Sequence, residues 1–487
     1  MRAAITALLL FFLTFAAAAQ NFDKAAREAM AAWHFPALAM AVMQDDKVVF
    51  LKAYGVKELG KPEPASVDTL FQIGSTTKAF TTTAMAMLVD EKKLNWDDPV
   101  RQHIDYFHLS DPCADSLVTL RDIVSHRTGL SRHDELWDNS GLSRDEILHR
   151  VAGLKLSKPI RTTYQYNNIM FMAAGEVVAA ASKTSWDDFV RTRIFEPLAM
   201  THTRTAFANW AASDHATGHA FLHGATKPRA ADDDTNLGPA GTIMSSAHDM
   251  AQWLRFQLAG GVIDGKRLVS EESLKETRAP LTPIRIDDES RLINPFTHVQ
   301  SYAMGWNVSD YRGELLVAHA GALNGFRTQV ALLPERNAGV VVMTNVGRGF
   351  GVAALRNTLL DEILHAAPPR NWNDVYLFVE KKADERAEKA KADREAKRVK
   401  DTHPSRDLAA YAGTYHDAAY GDATVTLENG ALVFRWQRLT IPLTHYNYDT
   451  FLALSEPDDV DETVQFHLGA NGDVTMMSIF GQELAKR

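Results

Sequence analysis

Phe71-Gln72-Ile73-Gly74-Ser75-Thr76-Thr77-Lys78-Ala79-Phe80 is the stretch on which the reading of the chain turns. An apolar-periodic run follows through Met85, Met87, Leu88 and Val89 and closes at Asp90-Glu91-Lys92-Lys93. That pattern predicts a buried helix with Ser75 at its amino end. A serine and a lysine three positions apart on a helix share a face. A serine hydroxyl becomes a nucleophile when a base takes its proton, and a lysine whose pKa is lowered by burial or a neighbouring cation can be that base. The unpaired N–H groups at the helix start would favour a developing oxyanion. Read alone, the same four residues fit a capping serine followed by a solvated lysine equally well.

The bulk properties bound the setting of this stretch. A chain of 487 residues, 46% hydrophobic and 23% charged, has the make-up of a soluble globular protein with two or more domains. A net charge of −9 argues against a nucleic-acid-binding surface spread over the molecule. The single cysteine, Cys113, excludes an intramolecular disulfide and any cysteine-rich metal site. Arg2, the apolar run Ala3 to Phe15 and the small-residue stretch Ala16 to Ala19 read as a secretory signal over residues 1–19, leaving Gln20 at the mature start. The chain is therefore expected to be exported, to the periplasm, with no membrane span after signal removal.

Outward from the opening stretch, Phe22 to Trp33 has amphipathic helical spacing, and Ala37 to Tyr54 reads as a hairpin turning at Asp45-Asp46. Val118 to Leu130 opens on a threonine cap and ends at Gly129, as a short helix should. Within it His126 could be a general base, but it reads as a structural histidine bonded to a neighbouring loop. Further helices are expected at Met170–Ala181, Ser185–Phe195 and Ala247–Leu258, the last preceded by Gly238-Pro239-Ala240-Gly241. His215, His219 and His223 recur every four residues before Asp232-Asp233-Asp234. Glycines interrupt that stretch, so it reads as a loop or strand rather than a metal-binding helix.

From Tyr302 the pattern turns to strands: Tyr302–Val308, Glu314–Ala318, Phe326–Leu333 and Gly339–Thr344, then a helix at Val352–His365. Strands at both ends with helices between point to one mixed, mainly antiparallel sheet built from the two chain ends. Glu380 to Lys400 is rich in Lys, Arg, Glu, Asp and Ala and reads as an exposed linker helix rather than a basic arm for a partner. After Pro404 come short strands with Asn-Gly turns at Asn429-Gly430 and Asn471-Gly472. The expected domains are a large sheet-and-helix domain at 20–366, a charged helical linker at 367–403 and a small β domain at 404–487.

Three short motifs stand in order: S-x-x-K at Ser75, Y-x-N at Tyr166 and H-x-G at His319. A second H-x-G, His467-Leu468-Gly469, lies on a strand of the tail and shows how little that motif says alone. With their settings, including SerHisArgThrGlyLeu at 125–130 and GlyProAlaGlyThrIleMetSerSerAlaHisAspMet at 238–250, the motifs resemble the penicillin-recognising serine hydrolases. The likeness is to the class C β-lactamase and D-peptidase branch and covers about residues 22–365. The tail resembles the lipocalin-like β domain often appended to such hydrolases.

The resemblance implies an α/β fold in which helices flank the sheet and an all-helical subdomain adjoins it, followed by a barrel-like all-β domain. It also implies a set of roles. Ser75 would be acylated, Lys78 would activate it, and Tyr166 would exchange protons with Ser75 and the leaving group. Asn168, His319 and Gly321 would bind substrate, and the N–H groups of Ser75 and Ala322 would form the oxyanion hole. No metal and no organic cofactor is required. A histidine replaces the lysine of the lactamase K-T-G motif at position 319, and a histidine is largely neutral at neutral pH. Penicillin is then a poor candidate substrate. The expected function is cleavage of an amide in a small molecule or short peptide containing D-residues. An esterase on small acyl esters, or a weak β-lactamase, is the alternative, and a catalytically idle scaffold or ligand sensor is the alternative of another class. Capping the cleft, mediating a homo-oligomer and binding a ligand are all open roles for the tail.

Overall fold

A computed structural model describes residues 19–138, 140–205, 213–222, 224–230, 234–455 and 460–487. Nearly all of the expected leader, and the positions of His223, Asp232 and Asp233, lie outside the described residues. The described chain forms two compact units. The first holds the chain up to Asp105, Cys113–Arg132 and Ser157–Lys381; the second holds Tyr106–Pro112, His133–Leu156 and Lys382–Arg487.

The first unit is built on an eight-stranded sheet. In chain order its strands are β1 (Ala37–Gln44), β2 (Lys47–Gly55), β3 (Thr282–Pro283), β4 (Gln300–Tyr302), β5 (Asn307–Tyr311), β6 (Glu314–Leu323), β7 (Phe326–Leu333) and β8 (Ala338–Thr344). Their spatial order is β2-β1-β8-β7-β6-β5-β4-β3. The two chain ends meet where β1 pairs with β8, Leu38 opposite Thr344, and every neighbouring pair is antiparallel rather than mixed. Asp45 and Asp46 both take positive φ at the β1–β2 turn, the geometry that matches strand twist in a tight hairpin. The central strands β1 and β8 are buried along almost their whole length, as strands with both faces covered must be. Helix α1 (residues 19–33) and helix α5 (Gly349–Ile363) cover one face through Phe22, Trp33, Leu355 and Leu359 against Leu38, Met40, Val340 and Val342.

The helical part carries α2 (Thr77–Asp90) and α3 (Ile169–Ser182), while α4 (Ala247–Leu258) packs on β1, β2 and β8 of the sheet. Every residue of α2 from Thr77 to Leu88 is buried, so it is a core element rather than an amphipathic surface helix. It packs on α3 and on the turn Thr235–Ala240. That turn is wedged in tightly: a Cβ on Gly175 of α3 would lie 2.0 Å from Pro239 Cγ, and Thr81 Oγ1 donates to the Pro239 carbonyl at 2.7 Å.

The second unit contains a closed eight-stranded barrel, from Gly413–Asp417 to Gln482–Lys486. Its interior is filled by Tyr411, Tyr415, Phe451 and Phe466, packed mainly edge to face. Residues 133–156 belong to this unit: Tyr420 Oη lies 3.0 Å from His133 Nδ1, and Arg150 donates to the Ala419 carbonyl at 3.3 Å. The charged stretch is helical, as its i,i+4 pairs predict, but the helix starts earlier and runs Trp372–Ala396 (α6). No helix among the described residues is long and apolar enough to cross a membrane.

Candidate active site

Ser75 sits in a single 3-10 turn, Gly74–Thr76, that leads into α2. Its hydroxyl caps nothing, since neither the turn nor the helix has a side-chain cap. Instead Ser75 Oγ accepts from Lys78 Nζ at 3.1 Å. Lys78 is not a solvated lysine: it is 0% exposed. Its ammonium also donates to Asn168 Oδ1 at 2.7 Å and to the Ala240 carbonyl at 2.8 Å. A buried cation needs such oxygens around it. Its Nζ lies 4.8 Å from the Tyr166 ring centroid, so the S-x-x-K and Y-x-N motifs meet at Lys78.

The third motif reaches the same place through β6. The pairing of β5 with β6 ends at Asn307–Ala318, so His319 to Leu323 run past β5 with an edge not paired to it. This edge packs on the turn before Ser75. A Cβ on Gly321 would fall 1.9 Å from the Ile73 carbonyl oxygen, and one on Gly74, whose φ is +53°, would fall 2.5 Å from the Ala322 nitrogen. Two glycines thus let two backbones touch, which brings the Ala322 amide beside the start of α2. The sequence reading gave Gly321 to substrate approach, yet the contact that demands a glycine is with the chain's own Ile73.

His319 is 4% exposed and both its ring nitrogens are engaged. Nδ1 donates to the Ala320 carbonyl at 2.7 Å, so Nε2 is the acceptor of a hydrogen bond donated by the Tyr302 hydroxyl at 2.9 Å. Burial first, and the Lys78 cation second, push the His319 pKa down to about 3. Position 319 therefore carries no positive charge at neutral pH. Tyr302 is fully buried, which raises its own pKa well above the usual phenol range and keeps it a donor.

Three participants had no role assigned from the sequence: Tyr302, in an expected strand; the Ala240 carbonyl, in a segment read as the lead-in to a helix and as part of the motifs' setting; and the turn Ala303–Trp306. That turn separates β4 from β5, and a Cβ on Gly305 would lie 2.8 Å from the Lys78 carbonyl. Two of the three spaced histidines are described, and each has a structural partner of its own. His219 is a buried strut between the Leu59 N–H and the Asn345 carbonyl, and His215 donates to Ser213. Among the described residues no group of three or more His, Cys, Asp or Glu side chains is placed to hold a metal ion.

Residues 22–365 match the family model described as Beta-lactamase. The chain belongs to the beta-lactamase family, a family of serine hydrolases. Residues 397–486 match a further family model, a domain of unknown function (DUF3471), over most of the barrel unit's C-terminal part. Among curated proteins the chain is 29% identical over 429 residues to unguisins hydrolase ungD' of Aspergillus campestris, covering 83% of this chain and 77% of that protein. It is 26% identical over 337 residues to Protein flp of Staphylococcus aureus, covering 68% of this chain and 64% of that one. The fold is shared with the octameric penicillin-binding protein homologue from Pyrococcus abyssi, with a TM-score of 0.62 and 20% identity over 96% of this chain and 99% of that one. It is shared also with SurE, with a TM-score of 0.56 and 19% identity over 97% and 99%.

Proposed function

We propose that the protein is an exported, periplasmic serine hydrolase that works through an acyl-Ser75 intermediate on amide bonds of small peptides containing D-residues. The observation that carries the reading is the buried Lys78 ammonium 3.1 Å from a Ser75 hydroxyl that caps nothing. In the resting geometry Ser75, Asn168 and Ala240 oxygens surround that ammonium. Loss of one proton from the Lys78–Tyr166 pair readies it to accept the Ser75 proton as Oγ bonds to the substrate carbonyl carbon. The oxyanion is held by the Ser75 and Ala322 N–H groups, each donor contributing about 3–4 kcal/mol. The carbon–nitrogen bond then breaks, and Tyr166 returns the proton to the leaving amine. Water repeats the sequence on the acyl-enzyme, releasing the acid and restoring Ser75. Asn168 spends its side-chain oxygen on Lys78, so its contact to substrate falls to the amide nitrogen.

His319 shapes the substrate class. A neutral ring with both nitrogens engaged offers no cation to a carboxylate beside the scissile bond. This favours D-aminoacyl amides over β-lactams and C-terminal D-peptides, and it equally favours the second reading, small acyl esters. The names of the curated relatives, unguisins hydrolases, support hydrolysis as the reaction.

A panel of D-aminoacyl amides, D-Ala-D-Ala peptides, p-nitrophenyl esters and nitrocefin, run with wild type and Ser75→Ala, tests the proposal. Turnover of the D-aminoacyl amides above the rest, abolished in Ser75→Ala, is the expected result. Ester turnover alone selects the second reading, and no Ser75-dependent turnover across the panel supports an idle scaffold.

A further inference from the structure

The side chain that sequence reading set aside, His126, stands against the Y-x-N segment on both sides of Tyr166. Its backbone carbonyl accepts the Gln165 N–H at 2.8 Å, and its ring Nδ1 accepts the Asn167 N–H at 3.1 Å. One residue thus holds the amides immediately before and after Tyr166. The ring itself lies 4.2 Å from the Tyr166 ring and 4.4 Å from that of Tyr302, centroid to centroid. Tyr164 and Phe171 complete an aromatic surround.

The local backbone is bent to make this contact. His126 takes a positive φ of 56°, and the helix expected through Val118–Leu130 stops at Ile123 so that the chain can reach the Y-x-N segment. Beneath it the buried Asp122 carboxylate binds Arg127 at 2.6 Å and Arg161 at 2.7 Å, tying together the two loops that carry the clamp. Arg161 N–H adds a bond to the Arg127 carbonyl at 2.6 Å.

The chemistry of the ring follows from its partners. A backbone N–H can only donate, so Nδ1 bears the lone pair and Nε2 the hydrogen. That Nε2 is buried and has no hydrogen-bond partner among the described residues. Burial first, then the Lys78 and Arg132 cations, hold the imidazole neutral, which is the only state in which Nδ1 can accept. A buried donor left unmet in a native structure calls for an explanation. Here the ring is set by its other nitrogen.

We infer that His126 is a positioning residue for Tyr166, fixing the tyrosine's place beside Lys78 by clamping Gln165 and Asn167. The inference rests on the serine hydrolase reading for its kinetic consequence, but not for the clamp itself. Asparagine places its side-chain oxygen near the position of Nδ1, whereas glutamine reaches toward Nε2. The variants His126→Asn, His126→Gln, Tyr166→Phe and the double variant His126→Gln/Tyr166→Phe therefore test it in the full chain.

With the best substrate of the panel, His126→Gln is expected to lose about 100-fold in kcat with KM within about threefold, the cost of a misplaced proton carrier. His126→Asn should recover most of that loss. The double variant should be no slower than Tyr166→Phe alone, because the histidine acts only through the tyrosine. Full activity in His126→Gln, equal losses in the Asn and Gln variants, or multiplied losses in the double variant would each overturn the inference. Amide hydrogen exchange at Gln165 and Asn167 reads the clamp without any activity. The Asn167 amide should exchange faster in His126→Gln and stay protected in His126→Asn. Unchanged protection in both variants contradicts the clamp, even if no substrate is ever turned over.

Discussion

The two H-x-G tripeptides, His319-Ala320-Gly321 on β6 and His467-Leu468-Gly469 on a barrel strand, have the same spelling and different physics. His319 is buried with both nitrogens engaged, while His467 is half-buried with its Nε2 2.7 Å from Ser478 Oγ. Gly321 touches the backbone of Ile73, whereas a Cβ on Gly469 would first meet the Thr475 methyl at 2.9 Å. A side chain can rotate away; a carbonyl in the turn before Ser75 cannot. The tripeptide thus acquires meaning from what packs on it, and only the first copy is packed against the candidate nucleophile's turn.

The glycines should separate the copies most. Gly321→Ala has to move either β6 or the Gly74 turn, and denaturant unfolding should show a loss of about 3 kcal/mol or more, with activity falling at least 100-fold. Gly469→Ala should change stability by less than about 1 kcal/mol and leave turnover intact. Comparable losses from the two would erase the distinction.

Acid sensitivity comes next in size. The folded-state pKa of His319, about 3, lies below its unfolded value of 6.5, so the unfolded chain binds the proton first. Stability from this residue is intact above the unfolded value and falls as pH drops from about 6.5 toward 3, by about 1.4 kcal/mol per pH unit. His126 adds to the same slope, its pKa being lowered by burial as well. His319→Gln should flatten the acid limb of stability against pH. Equal slopes in wild type and His319→Gln would refute the buried neutral histidine.

The smallest contrast concerns the bonds to the rings. Tyr302→Phe removes a buried donor from His319 Nε2 and should cost about 1–2 kcal/mol. Ser478→Ala removes the partly exposed bond to His467 and should cost about 0.5 kcal/mol or less. Melts of the two variants measure the difference directly.

Much of this was legible in residue order. Helix Ala247–Leu258 falls on its expected bounds because Ser246 caps it and its apolar face is periodic. The Ser75–Lys78 pairing was legible because one helical turn fixes it, and the Asn-Gly hairpins because their turn chemistry is local. What escaped was set by distant contacts. The run Val118–Leu130 has good helix ends, but the helix yields at Ile123 to the His126 clamp. The expected strand Tyr302–Val308 breaks at Gly305, where the chain presses on Lys78. Strand β6 runs on past Ala318 through small residues of weak strand propensity, held by its pairing with β7 as far as Leu323. Tyr302 carried no pattern that would pair it with the site; His126 lies in SerHisArgThrGlyLeu and does bond a neighbouring loop as expected, but nothing in its spacing points to Tyr166.

The central claim, that Ser75 is a nucleophile readied by buried Lys78, is tested most directly by mass spectrometry after reaction with a fluorophosphonate. The account predicts one adduct, on the peptide containing Ser75, formed by wild type, slowed at least 100-fold in Lys78→Met and absent in Ser75→Ala. An adduct of equal extent in Ser75→Ala, or none in folded wild type, would contradict it.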